Sequence, residues 1–370
     1  MHPTYVEINL NAIRQNISNI CQKVHPAKVM AVIKADGYGH GAVPVARVAL
    51  QAGATRLAVA FPGEGTVLRE AGIEAPIHLM GGFFPEQMQE IHSSRLEFTL
   101  CDFHTIDDLE TFAQSSHTDL PVHVKFDTGM RRVGFWWEDA ENVFKRLNKS
   151  RSFNLVGLMT HFATADENDK TFAYEQLRRF HHVIEQAKWA GLRFRYIHAA
   201  NSGAILDMPE TYFDLVRAGI SMYGYYPSGA TTESIPIQPA MAWRSRLVQV
   251  KKIAADEPVS YGAAWIAPHE TIIGTVPVGY ADGYNRKLTN RIHAVVNGRR
   301  VPVVGRVCMD MIILDLGPNA QDKAGDEVVL LGSDGKAEVL MDEFCKALGT
   351  IPYEVTCAVS KRVPRVYRDV

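Results

Sequence analysis

The chain has few cysteines, no long apolar run and no block of like charge. Its five cysteines are scattered over 370 residues, form no Cys-x-x-Cys pair and leave one over in any pairing scheme. That usage excludes a disulfide scaffold and fits a reducing compartment. No apolar stretch reaches the ~18 residues that span a bilayer. The opening residues, Met1-His2-Pro3-Thr4-Tyr5, lack the charged and apolar regions of an export signal, so a cytoplasmic location is expected. A net charge of -2 without basic or acidic blocks excludes attraction to nucleic acid or membrane through bulk electrostatics. Solenoid repeats and low-complexity tracts are also missing. What is present is a composition of 46% hydrophobic and 22% charged residues, that of a globular enzyme. At ~150 residues per domain, the length suggests two or three domains.

Short apolar runs alternate with helix-like segments from about residue 29 to residue 217. The runs are Val29–Ile33, Leu57–Phe61, Ile77–Met80, Leu96–Leu100, Val122–Phe126, Leu155–Thr160, Tyr196–His198 and Phe213–Val216. The clearest intervening helix is expected over 170–189, with Ala173, Leu177, Phe180, Ile184 and Ala187 on one face behind an acidic lead-in. Eight strand–helix repeats predict a (β/α)₈ barrel of the TIM type rather than an open doubly wound sheet. Pro227, Gly229, Pro236 and Pro239 then mark a linker. Beyond it the pattern turns to strands at Leu247–Ile253, Ile272–Pro277, Ile292–Val296, Val301–Val304, Met309–Leu314 and Val328–Leu331. A helix at Leu340–Leu348 and a short β-like stretch at Glu354–Val359 complete a β-rich C-terminal domain.

Catalytic groups of such a barrel belong at the C-terminal ends of its strands. Lys34 ends the first run and opens a glycine-punctuated turn, Ala35-Asp36-Gly37-Tyr38-Gly39-His40-Gly41. A lysine there can form a Schiff base with pyridoxal phosphate, although a strand-end lysine is more often a solvated or ion-paired group. Lys125, His161, His198 and Arg217 end later runs. Each alone reads as a structural polar group; together they describe a polar mouth above an apolar barrel. Asn201-Ser202-Gly203 and Gly219-Ile220 supply the hydroxyl and backbone N–H groups of an anion cup, a weak signal by itself. Two look-alikes fail. Asp127-Thr128-Gly129 has no second copy to make a carboxylate pair. Gly37, Gly39 and Gly41 lack dinucleotide-loop spacing and the acidic residue that should follow.

Taken together, Ala31–Gly41, Lys125–Met130, Thr160–Asp166, Ala199–Ser202, Arg217–Ile220, Val259-Ser260-Tyr261-Gly262-Ala263 and Ile351-Pro352-Tyr353-Glu354 resemble the pyridoxal-phosphate-dependent alanine racemases over essentially the whole chain. The resemblance implies a pyridoxal-phosphate-binding barrel over residues 1–236 and a β-rich domain over 237–370, with the first ~10 residues a candidate partner for the second domain. It makes Lys34 the Schiff-base lysine and, with Tyr261, one of two bases that racemise alanine on opposite faces. His161, linked to Arg217, would assist Tyr261. Arg217 would bond the pyridine nitrogen and leave it unprotonated. Tyr38, Ser202, Gly219, Ile220 and Tyr353 would hold the phosphate, with His161 and Asn201 also lining the cofactor. Arg132 and the Met309 backbone would hold the substrate carboxylate. Lys125 corresponds to a lysine often carbamylated in the family, and Asp166, Tyr280, Arg286 and Arg306 match the entry path. No metal is implied. Arg131 departs from the small residue expected beside Arg132.

Family members are head-to-tail homodimers, so Tyr261 and Met309 would reach a second copy's barrel. The implied activity supplies D-alanine to the cell wall. A serine or broad-specificity racemase is the near alternative. A basic-amino-acid decarboxylase would need a carboxylate where Arg217 stands. A pyridoxal-phosphate carrier would lack the second domain.

Overall fold

The computed structural model describes residues 3–369, which divide into two compact units. One is the barrel, Ala12–Gly37 with Gly41–Gln238. The other joins the described part of the first 11 residues and Tyr38–His40 to the chain from Pro239 onward.

The barrel strands are Lys28–Val32, Arg56–Val59, Ile77–Leu79, Leu96–Leu100, Leu120–Asp127, Phe153–Met159, Tyr196–His198 and Leu215–Ala218. They fall where the eight apolar runs predict them, shifted by at most a few residues. The first seven pair in parallel in chain order, and the eighth pairs with the first, Leu215 opposite Lys28 and Ala218 opposite Ala31. The seventh and eighth strands have no ladder. Backbone bonds from Asp214 to Ile197 (3.1 Å) and from Arg217 to Ala200 (3.0 Å) bridge them and nearly close the ring. Near-continuous Val, Ile, Leu and Ala runs are what a parallel sheet buried on both faces requires. The predicted helix spans Thr171–Trp189 and buries Ala173, Leu177, Phe180, Ile184 and Ala187. Asp169 accepts the Thr171 N–H at its start (2.9 Å).

Six of the barrel strands also bury polar side chains. Arg56, His78, Glu97, Thr99, His123, His198 and Arg217 are all buried. Glu97, on the fourth strand, bonds Arg56 on the second and His123 on the fifth. His78 lies opposite Glu97 and Thr99 opposite His123, so these side chains share one face of neighbouring strands and the barrel interior holds a polar column among its packed layers.

In the β unit, Tyr5–Asn9 lies between Met241–Arg246, antiparallel, and Arg365–Arg368, parallel. The sheet continues through Glu327–Asp334, His293–Val296, Arg299–Val304, Ile312–Gly317, Thr271–Val276 and Gln249–Ile253. Its core stacks Trp243, Tyr284 and Phe344 edge to face, with centroids 5.7 and 5.9 Å apart. The expected strand at Glu354–Val359 is instead part of a helix, Pro352–Ala358. Val355 and Thr356 favour a strand locally, but Pro352 presets the first turn and the buried Pro352, Val355 and Thr356 recur at helical spacing. Residues 306–311 form a loop rather than the start of the Met309–Leu314 strand, which begins at Ile312.

Candidate active site

Lys34 follows the first barrel strand and starts a turn wound in the left-handed sense. Ala35, Asp36, Gly37 and Tyr38 have φ of 53°, 51°, 61° and 52°. Three of these four are not glycine, and left-handed backbone costs such residues ~1–2 kcal/mol each. The turn is held from several sides. Gly37 N–H donates to Ile33 O and Gly41 N–H to Asp36 O, both at 2.8 Å. Asp36 Oδ1 accepts the Ala42 N–H, and Glu64 accepts the Ala35, Ala60 and Phe61 N–H groups.

Four cations gather at this end of the barrel: Lys34, Lys125, Arg132 and Arg217. Burial, then Arg217 and Arg132, brings the Lys125 ammonium down to about 8. Burial, then Arg132, lowers Arg217 to about 9, still charged at neutral pH. Arg217 donates to Ala199 O (2.7 Å), Thr160 O (2.8 Å) and His198 Nδ1 (2.9 Å), and meets His161 Nδ1 at 3.2 Å. Guanidinium has no acceptor, so both imidazoles turn a bare Nδ1 toward it. Burial, then the charges of Arg217, Lys125, Arg132 and Lys34, keeps His161 neutral, far below the usual imidazole range. His161 therefore carries its proton on Nε2.

Next to this group, Ser202 Oγ accepts the Gly219 N–H (3.0 Å) and the Ser221 N–H (3.4 Å) and lies 3.1 Å from Ser221 Oγ. Donors of the 219–221 segment thus converge on the buried Ser202 Oγ, the chemistry of an anion cup. Asn201 caps the short helix behind it by accepting the Ala204 N–H. Ile220 is fully buried in the adjoining turn. Asp127 accepts the Gly129, Arg131 and Arg132 N–H groups and so shapes the loop that carries Arg132. Arg131 occupies the left-handed region (φ 56°), as the small residue expected there would, and its guanidinium stacks on Trp136 at 3.6 Å. The departure is absorbed by that stacking. Asp166 lies on the same side of the barrel, where a Cβ on Gly203 would meet its N at 2.9 Å.

The remaining residues singled out in the sequence lie in the β unit. Tyr38 and Tyr353 pack ring to ring at 5.8 Å. Tyr261 and Met309 stand 72% and 52% exposed. Their loops are tied together. Ser260 Oγ donates to Arg306 O (2.6 Å), Tyr280 N–H to Cys308 O and Ala281 N–H to Met309 O (both 3.0 Å). Val307 N–H donates to Thr289 Oγ1 (3.2 Å), and Thr289 bonds Arg286 O. Tyr261, Tyr280, Arg286, Arg306 and Met309 thus share one cluster of loops. Neither Glu97 nor His123 stands out in the sequence, and His198 stands out only as a strand end. The available signal was a charged or imidazole side chain inside an otherwise apolar strand, as in Leu96-Glu97-Phe98.

The donor set fits pyridoxal phosphate: an amine at a strand end, a buried cation for a ring nitrogen and an anion cup. Among the described residues no His, Cys, Asp or Glu cluster could hold a metal ion. Comparison with known proteins gives the same direction. Residues 8–227 match the family described as "Alanine racemase, N-terminal domain", and residues 240–367 match "Alanine racemase, C-terminal domain". The chain is 45% identical over 369 residues to an alanine racemase of Desulforamulus reducens, covering 99% of each. It is 43% identical to an alanine racemase of Halalkalibacterium halodurans, covering 98% of this chain and 95% of that one. A solved alanine racemase of Clostridium difficile superposes with a TM-score of 0.94 at 37% identity, covering 100% of this chain and 96% of that one. One from Bartonella henselae, described with covalently bound pyridoxal phosphate, gives 0.90 at 28% identity and covers 100% of both. The chain belongs to the alanine racemase family.

Proposed function

We propose that this member of the alanine racemase family interconverts L- and D-alanine with Lys34 and Tyr261 as its two bases. The observation that carries the reading is the convergence of Lys34, His161, Arg217 and the Ser202 cup at the C-terminal end of one barrel. Bound there, pyridoxal phosphate supplies the electron sink that acidifies the amino acid's Cα–H. Lys34 would hold the cofactor through Nζ and take or return a proton on one face. Tyr261 would do so on the other. Ser202, Gly219 and Ile220, with Tyr38 and Tyr353, would hold the phosphate, and Asn201 would keep the cup's helix in place.

Arg217 would donate to the ring nitrogen. It has no proton to release at neutral pH, so the sink stays weak and reprotonation stays ahead of side reactions. The neutral His161 would present Nε2–H to Tyr261 and lower the cost of forming phenolate, whose ordinary pKa lies near ~10. Arg132 and the Met309 backbone would bind the substrate carboxylate. A carbamylated Lys125 would place a negative group beside Arg132. Asp166, Tyr280, Arg286 and Arg306 would line the way in.

Tyr261 and Met309 are exposed in the isolated chain and would serve a second copy, making a head-to-tail homodimer the active form. All five cysteines are free thiols and no helix of the described residues is long and apolar enough to cross a membrane, which supports a cytoplasmic source of D-alanine for peptidoglycan. Borohydride reduction followed by peptide mapping tests the central assignment: the cofactor label is expected on Lys34, and a label elsewhere overturns it. Steady-state rates over a panel of L-amino acids test the substrate, and equal efficiency on serine or bulkier residues would move the reading to a broad racemase.

A further inference from the structure

The polar column in the barrel has a direction. At one end Arg217 donates to His198 Nδ1 (2.9 Å). His198 Nε2 lies 3.0 Å from His123 Nδ1, and His123 Nε2 lies 3.0 Å from Glu97 Oε2. The other oxygen of Glu97 accepts from Arg56. Arg217 can only donate and a carboxylate can only accept. Between these fixed ends, each imidazole has one proton and one bare nitrogen. All bonds are made only if both protons sit on Nε2, so that every donor points from Arg217 toward Glu97.

The surroundings keep the column in that state. Burial would raise the Glu97 carboxyl, but bonds from His123 and Arg56 outweigh it and hold the group at about 2. Burial and neighbouring cations hold His198 neutral, and burial does the same for His123 against the pull of Glu97. His78 stacks on His123 with centroids 3.8 Å apart, and its own Nε2 pairs with Thr99 Oγ1. Thr99 Oγ1 donates to Leu79 O, so it accepts from His78, which is therefore also an Nε2–H tautomer. Room for the His123 ring comes from Gly157 on the next strand, where a Cβ would stand 2.0 Å from His123 Nδ1. A glycine cut to the shape of one imidazole marks that ring's position as specified rather than incidental.

We propose that Glu97 is a positioning residue for the racemase reaction: as the obligate acceptor at the far end of the column, it fixes the polarity of His123 and His198 and thereby keeps Arg217 bonded and aimed at the cofactor ring. The inference rests on the role given to Arg217 above. It also specifies what a neutral replacement does. In E97Q the Arg56 guanidinium claims the amide oxygen, which turns the amide NH₂ toward His123. His123 must then bare Nε2 and carry its proton on Nδ1. His198 follows, and its Nδ1–H faces the Arg217 donor, so the last bond breaks.

The test combines spectroscopy with kinetics on the holoenzyme. In wild type labelled with ¹⁵N-histidine, magic-angle NMR should show His123 and His198 protonated on Nε2 with bare Nδ1. In E97Q the pattern should invert at both rings. With it, kcat should fall on the order of 10–100-fold with KM for alanine within about twofold, the scale at which outer partners of a functional group act. R56M/E97Q removes the competing donor and should restore both the tautomers and most of kcat. G157A reaches the column without touching a charge and should also lower kcat by displacing the His123 ring.

Nδ1–H at His198 in wild type overturns the proposal outright, with no variant required. Wild-type tautomers and kcat in E97Q overturn it too. Neither outcome bears on the site itself. A wild-type enzyme that takes no borohydride label on Lys34 would instead defeat the assignment on which the proposal rests, whatever the tautomers.

Discussion

At Lys125 a cation is buried among cations, and its pKa of about 8 has two consequences. The folded value lies below the unfolded one, near ~10.4, so the folded state binds fewer protons between them and stability rises with pH across that window. The penalty of the charged amine, on the order of 3 kcal/mol, is fully present below pH 8 and fades toward the unfolded value. In CO₂-free buffer, K125M should therefore melt above the parent at pH 7, with the gap closing by about pH 10. A melt difference that does not change with pH would contradict this. The second consequence is reactivity: a neutral amine is the form that adds CO₂. With ¹³C-bicarbonate, a carbamate resonance should grow as pH rises through about 8 and be missing from K125A; the same signal in K125A would assign it elsewhere. Of this site, the sequence made Lys34, Lys125, His161 and Arg217 legible because each ends an apolar run. Glu97 and His123 were hidden because a strand's inward positions are recognisable as polar only once the barrel closes and brings non-adjacent strands together.

At the scale of elements, the apolar runs located all eight barrel strands, since parallel strands covered on both faces leave no amphipathic ambiguity. The C-terminal unit was less legible. Its N-terminal strand, Tyr5–Asn9, pairs with residues more than two hundred positions away, which the family resemblance suggests but no local window contains. At Pro352–Ala358 packing overrides the β-branched propensity that locally suggests a strand. The glycines after Lys34 suggest a loop, whereas the left-handed winding through Ala35 and Asp36 comes from bonds to Glu64 and to its own backbone. Glu64 is the element's clamp, its carboxylate accepting three N–H groups. E64A should release them, cost roughly 2 kcal/mol in a urea titration, and slow borohydride labelling of Lys34 by loosening the turn. E64Q, able to keep one acceptor, should fall between. An E64A protein as stable and as readily labelled as the parent would show that the left-handed turn stands without the clamp.

For the whole molecule, the question is whether one chain completes a site. Tyr261 and Met309 present large, unpartnered surface, and the active form proposed above pairs the Lys34 of one copy with the Tyr261 of another. This arrangement makes a prediction that no single-chain site can reproduce. K34A and Y261F should each be nearly inactive as homodimers. Unfolded together in equal amounts and refolded, they should yield about half heterodimers. In a heterodimer the K34A copy contributes an intact Tyr261 to the barrel that retains Lys34, while the other barrel carries both lesions. One site in two is then whole, so the mixture should recover about a quarter of wild-type activity with an unchanged KM. If each chain used its own Tyr261, every site in every species would carry one lesion and mixing would recover nothing. The recovered fraction should also fall on dilution as dimers separate, because the bases come from different copies and neither chain alone holds both.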